Sequence, residues 1–344
     1  MNLTDKKEIK IIENKNLNSK FKSLYDINLN LNCNVLNDSF YLDPHNYFPI
    51  TEDNNTFLDF YKWGDNLKYK NFFTKNFYKN FTKNKNQFKN LSNVFILGSS
   101  SFDNYYRNMI TFLPRLFFNR DLITKIAIHR NTSNKFRNFI EILSKSLNKK
   151  IQFIFLDDGF YHFDNSQIPQ FFSQYKSIKI LNSLKQENNF IKGKKIYVTR
   201  RNCSFRNLIN EFDILTKLEK EGFQYVNLDE LDIYKQIKIF SKSEIIVSPT
   251  GSNLTNLVFC NKGAKIFEIS PKYKLKYEDV FKNRFSNISK TLGLEYHRIE
   301  ADSVPIKKID LNIKETIHPD ILSNSNYYKN LLVKKNKIDQ LNKF

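Results

Sequence analysis

Between residues 194 and 271 the chain alternates short apolar segments with single amphipathic helices, and this repeat limits what the chain can fold into more than any other feature. KKIYVTR (194–200) predicts a strand, and NLINEFDILTKLEKEG a helix with Leu208, Phe212, Leu215 and Leu218 on one face, stopped at Gly222. FQYVNL predicts the next strand, followed by a helix over ELDIYKQIKIFSKS with Leu231, Tyr234, Ile237 and Phe240 inward. A buried strand over 245–247 breaks at Pro249 and feeds a short helix from about Leu254; NKGA then turns into a strand over AKIFEIS. One helix between each pair of strands implies right-handed crossovers and a parallel sheet covered on both faces.

The preceding stretch reads the same way with less regularity. NVFILGSSS, LITKIAIHRN and KIQFIFLDD predict strands; NYYRNMITFLPRLFF, despite Pro114, and NKFRNFIEILSKSLN predict helices. Two alternating halves separated near 182–195 imply an α/β protein of two Rossmann-like domains facing a cleft. Ligands of open parallel sheets bind beyond the carboxyl ends of the strands, which makes the turns after Val198, Val247 and Ile269 candidate sites. Before residue 90 the readable features are a strand pair around NVLNDSFYLDP and a basic aromatic segment.

The 344 residues suffice for two cores, and 33 Phe with 18 Tyr argue against disorder. A net charge of +20 predicts a polyanionic partner: nucleic acid, an anionic membrane surface or a phosphorylated ligand. Three isolated cysteines, Cys33, Cys203 and Cys260, fit a reducing compartment and no disulfide or zinc pattern. Neither a signal peptide nor an apolar run long enough to span a membrane is found, so the expectation is a cytoplasmic protein. The segment over 67–89 interleaves Lys and Phe, as nucleic-acid-binding segments do. Phe73, Phe77 and Phe81 would also share one face of a helix flanked by Lys75, Lys79 and Lys83. Such a face fits either an interfacial helix at the inner face of the membrane or packing in the core.

Two loops carry the residues suited to an anion. The turn SPTGSN sets backbone amides at a helix start, where unpaired donors and the positive dipole end favour negative charge. TRRNCSFR places Arg200, Arg201 and Arg206 just after a strand, and guanidinium forks match phosphate oxygens. In a parallel sheet both loops share one edge, and Glu268 of FEIS would project there too, suited to ribose hydroxyls.

The run from KKIYVTRRNCSFRN to AKIFEISP resembles the C-terminal half of glycosyltransferase family 61, the DUF563 group, over about 80 residues. The family's pattern falls on Arg200, Arg201, Arg206, Asn210, Glu211, Gly222, Phe223, Gln236, Gly251, Leu254, Asn256 and Glu268; NYYRNMITFLPRL is similar to its N-terminal signature. The resemblance implies a GT-B fold. An acceptor-side domain would occupy 1–185 behind a basic leader, and a nucleotide-sugar domain 186–344 with a helical tail. It implies an inverting hexosyl- or pentosyltransferase that uses neither metal nor cofactor, with the donor held by Arg200, Arg201, Arg206, Thr250, Gly251, Ser252, Asn253, Asn256 and Glu268. A microbial cell-surface polysaccharide, built on a glycan acceptor either free or lipid-linked, is the expected product. Thr250-Gly251-Ser252-Asn253 replaces the His-Gly-Ala-Gly of many members and looks like a bacterial variant. Arg107 and Thr111 stand where a His and an acidic residue are usual, which leaves Asp103, then Asp158 and His162, as bases, or else an inactive scaffold. Glu211 is expected to brace the loop near Arg201 or Arg206.

Overall fold

The structure, a computed structural model, describes residues 10–12, 33, 35–44, 49–57, 60, 81–100, 103–119, 123–145, 150–185, 189–201, 203, 208, 210–271 and 278–302. The chain divides between Ile180 and Leu181 into two compact units. The basic leader, the tail beyond 302, and Phe73 and Phe77 of the basic aromatic segment lie outside the described residues, apart from the short strand Lys10–Ile12.

The first unit is built on a mixed sheet. Its strands are β1 (Lys10–Ile12), β2 (Val35–Leu42), β3 (Ile50–Thr51), β4 (Asn55–Phe57), β5 (Lys89–Ser92), β6 (Phe95–Ile96), β7 (Lys125–His129), β8 (Gln152–Leu156) and β9 (Tyr161–Pro169). The order is β1-β4-β3-β2-β9-β6-β7-β8, with β5 beside β9. β9, β6, β7 and β8 run parallel, while β2 pairs antiparallel with both β9 and β3. This corrects the expectation of a simple parallel half. The residues YHFDNSQIP, to which the sequence pattern assigned no element, form β9 because Ser166 and Gln167 are buried and their neighbours bond along the ladders. Asn165 takes a left-handed conformation (φ 43°), and β2 shifts register between Asp38 and Phe40 to match it.

Helix α1 (Tyr105–Arg107) continues as a π turn over Asn108–Phe112 and a 3-10 turn over Leu113–Phe118, with Pro114 tolerated in the first turn of the 3-10 part. Asn104 caps the run through a side-chain bond from the Arg107 amide. Its fully buried Arg115 donates to the carbonyls of Leu97 and Pro169 and lies 4.2 Å over the Phe171 ring. Helix α2 (Asn134–Leu143) is capped by Ser133 and buries Phe136, Phe139, Ile140 and Leu143, the spacing of a helical face. Phe81 is also core, in a cluster with Tyr41 and Ile50, so it cannot be part of a membrane-facing stripe. Lys85 of the same segment pairs with Glu52 and stands 4.6 Å over the Tyr41 ring.

After α3 (Gln174–Asn182), whose last two residues belong to the second unit, that unit continues as β10 (Lys195–Val198), α4 (Glu211–Lys220), β11 (Phe223–Val226), α5 (Ile233–Lys242), β12 (Ile245–Pro249), a 3-10 helix (Ser252–Phe259), β13 (Lys265–Pro271), α6 (Glu278–Leu292) and β14 (Glu295–Ala301). The five strands are all parallel, ordered β11-β10-β12-β13-β14. Right-handed crossovers put α4, which steps back to β11, on one face and the later helices on the other. Accordingly Leu215 of α4, with Ile214 and Leu218, packs on Tyr197, Val247 and Phe267.

Two expected inward residues are in fact exposed: Phe212 by 72% and Tyr234 by 50%. Each was displaced by a polar residue whose burial is compensated. Glu211 turns inward on α4 because the hydroxyls of Tyr197 and Thr199 donate to it, at 2.8 and 2.7 Å. Gln236 turns inward on α5 because its amide donates to the carbonyls of Leu228 and Leu231.

Candidate functional site

In the second unit, chain order places the point of divergence between β10 and β12. One strand leaves toward α4 and the other toward the 3-10 helix on the opposite face, which opens a crevice at their carboxyl ends. Thr199 and Arg200 follow β10; Thr250, Gly251 and Ser252 follow β12. Ser248 Oγ donates to the Val198 carbonyl at 3.0 Å and Asn253 Nδ2 to that of Thr199 at 3.1 Å, so the two loops are tied together. The Thr250 amide donates to Ile269 of β13, fixing the turn from its other side.

Arg200 is buried, 4% exposed, and its guanidinium occupies the space into which a side chain at Gly251 would project. A methyl group at 251 would overlap Nη1 and Cζ and come within 2.7 Å of Nε, so any side chain here would displace the Arg200 guanidinium. Gly251 is the N-cap of the 3-10 helix, whose first amides, at Ser252 and Asn253, have no carbonyl partner inside the helix. A fixed cation and helix-start donors thus share one corner, the chemistry of a phosphate site. Asn256 is buried beneath it and donates to the Asn253 carbonyl.

Arg201 behaves differently. Its side chain is half exposed and its Nε lies 3.5 Å from Glu211 Oε2, while its amide bonds Thr199 Oγ1. Glu211 is therefore the hub for Tyr197, Thr199 and Arg201, and burial together with this carboxylate pushes the Tyr197 hydroxyl well above its usual range. Arg206 lies outside the described residues. Glu268 does not project from the edge: it sits level with Ser248, one position before β12 ends, is buried, and accepts from the Tyr296 hydroxyl. On the same face Arg298 donates to Ser270 Oγ at 2.7 Å. Neither Tyr296 nor Arg298 figured in the sequence reading, which did not extend to β14.

The first unit has its own polar edge where β6, β7 and β8 end. Asp103 takes a left-handed conformation (φ 48°), and its Oδ1 accepts from the Ser133 amide at 3.0 Å and Asn108 Nδ2 at 3.1 Å. Asn108 in turn accepts from the Ser100 amide, so Asp103 fastens the start of α1 to the start of α2. Asp158 meets His129 at 3.2 Å, and Asp157 pairs with Arg130 through both carboxylate oxygens. That guanidinium holds Asp157 below the usual carboxylate range. His162 is not brought to this group; its ring nitrogens face Glu52 and Asn90, and its ring leans on Tyr41. His129 escaped the sequence reading, although it ends the strand KIAIH and the strand-end rule applied to Val198 would have selected it.

Burial pushes Asp103 above its ordinary value against the hydrogen bonds that favour its charge. A carboxyl raised in the folded state contributes stability below its unfolded value and loses it as pH rises through the folded one. Asp103→Asn, which cannot ionise and suits a left-handed backbone, should therefore gain on the wild type in melting temperature between about pH 4 and pH 7. Melts at both pH values check this; a constant gap would refute it.

The sequence model of glycosyltransferase 61 matches residues 68–267, more than half of the chain. The chain belongs to glycosyltransferase family 61. The match spans part of both units and includes Arg200, Gly251, His129 and Asp158, while Glu268 falls just beyond it. No curated protein matches the chain. As a family 61 glycosyltransferase the protein transfers a sugar from a donor to an acceptor. Among the described residues no helix is long and apolar enough to cross a membrane.

Proposed function

We propose that this protein is an inverting GT-B glycosyltransferase that takes its sugar from a nucleoside-diphosphate donor without a metal and adds it to a glycan of a cell-surface polysaccharide. The second unit would hold the donor and the first the acceptor, in the cytoplasm. The observation that carries the reading is Arg200 packed on Gly251 at the divergence of β10 and β12. There a permanent guanidinium charge and the amides of Ser252 and Asn253 converge, supplying to a departing diphosphate the positive field that a metal would otherwise provide. The interaction strengthens as the bond to the sugar breaks and charge builds on the leaving oxygen, so it favours the transition state over the bound donor. Arg201, steadied by Glu211, adds a second positive group at the rim.

A thermal-shift screen against nucleoside diphosphates and their sugar conjugates tests the proposal, since a ligand of the native state alone raises the melting temperature. A UDP or GDP species at 100 times its Kd should stabilise by about 2.7 kcal/mol, equally in EDTA and in manganese. Stabilisation seen only with manganese would refute metal independence, and none with any diphosphate would refute the donor site.

A further inference from the structure

We infer that residues 306–317, which follow β14 in the chain, lie as an amphipathic helix across the part of the second unit's sheet that α4 leaves bare. The inference is independent of the glycosyltransferase reading above and rests on how unequally the two faces of this sheet are covered.

A parallel sheet built from crossover units is apolar on both faces and needs cover on both. The strand order β11-β10-β12-β13-β14 steps back once and then forward three times. Right-handed crossovers therefore put α4 on one face and α5, the 3-10 helix and α6 on the other, where the 3-10 helix packs on both of its neighbours. Strands lie about 4.8 Å apart and packed helices about 8–10 Å apart, so one helix shelters about two strands. Three elements serve one face of these five strands, and α4 serves the other.

Burial records the difference, because side chains alternate between the faces along each strand. Away from α4, β13 presents Ile266, Glu268 and Ser270, each at most 2% exposed. On the α4 face, Tyr197 of β10 and Val247 of β12 are buried with Leu215, but Phe267 and Ile269 of β13 are only partly buried. Beyond them Ile299 of β14 is 47% exposed. Phe267 is in register with His297 and Ile269 with Ile299, and the Phe267 and His297 rings stack at 4.9 Å. These four residues form one continuous, largely apolar patch over β13 and β14.

The chain that leaves β14 after Ala301 is suited to cover it. It reads DSVPIKKIDLNIKETIHP, in which Ile306, Ile309, Ile313 and Ile317 recur at intervals of three and four, the stripe of a helix. Lys307, Lys308, Lys314 and Glu315 fall off that stripe. Pro305 fits a first turn, and Pro319 drives His318 out of the helical region and ends the run. Residues 302–305 make a connection of ordinary length. A helix over 306–317 measures about 18 Å, the length of five to six strand residues, so it can recross β14 from end to end. A strand over 309–313 added beside β14 would instead leave Phe267 and Ile299 uncovered.

The test uses the full chain. Hydrogen exchange read by mass spectrometry should find the amides of 306–317 protected, and Ile299→Asp should speed their exchange on the order of 100-fold. The melting temperature should fall by about 2–4 °C or more, whereas a charge placed on a bare surface changes it little. Ile313→Asp, on the other side of the contact, should reproduce both effects, and the double variant should add little to either single one. Light scattering should give wild type and Ile299→Asp the same mass. Fast exchange of 306–317 in the wild type overturns the inference, as does protection that neither aspartate disturbs. A mass halved by Ile299→Asp would overturn it in favour of a second copy of the chain on this face.

Discussion

Replacing Arg200 with alanine should weaken nucleoside-diphosphate binding by about 1.5–3 kcal/mol, roughly 10- to 150-fold, the scale of a charged hydrogen bond. Arg201→Ala should cost less, because Arg201 is half exposed and shares its charge with Glu211, whereas Arg200 is buried on Gly251. Gly251→Ala provides an independent check: its methyl group must push the Arg200 guanidinium off the turn, so it should mimic the loss of the arginine while leaving the charge in place. Calorimetry on the three variants distinguishes the outcomes. Equal affinity of Arg200→Ala and wild type would remove this corner as the diphosphate site, and a larger loss for Arg201→Ala would exchange the roles of the two arginines.

The largest expected loss of stability lies at Arg115. Its guanidinium is fully buried and bonds the carbonyls of Leu97 and Pro169, the segments that follow β6 and end β9. Arg115→Met keeps most of the apolar stem but leaves both carbonyls without their donor, at about 1–3 kcal/mol for each buried group. A total near 3 kcal/mol corresponds to a fall of roughly 6–12 °C in the melting temperature of a unit this size. Thermal melts followed by far-UV circular dichroism would read it; a change below about 2 °C would mean that water replaces the guanidinium and that the site is less enclosed than its burial indicates.

The parallel unit was legible in the sequence because its strands are continuous apolar runs and its helices single amphipathic ones. Its order along the chain was therefore recoverable, and with it the pairing of the loops after Val198 and Pro249. Errors arose where a polar side chain takes a buried place. Glu211 and Gln236 look like surface residues until Tyr197, Thr199 and the Leu228 and Leu231 carbonyls are seen to satisfy them. β9 was missed for the same reason, since Ser166 and Gln167 break the apolar pattern that marks a strand. In the candidate site, the arginines and the glycine could be named from sequence, but the sequence could not say which guanidinium lies on Gly251. That depends on which of two adjacent side chains the buried Glu211 claims. His129 was within reach of the strand-end rule, but its contact with Asp158 shows only once the two strand ends are folded together.

The π turn of α1 has a consequence for sequence length. There the Leu113 amide reaches back to the Asn108 carbonyl, five residues rather than four, so the segment contains one residue more than an α-helix of the same rise. Removing one residue between 109 and 112 would let the run close as an ordinary helical turn of the same rise, because the wide turn is what accommodates the extra residue. Asn108 would keep its place beside Ser100 and Asp103, and the buried apolar face beyond Leu113 would stay in register. Only the side chains within the wide turn would be redistributed, so descendants of this sequence should tolerate a single deletion in 109–112 more readily than one in a regular helix such as Asn134–Leu143.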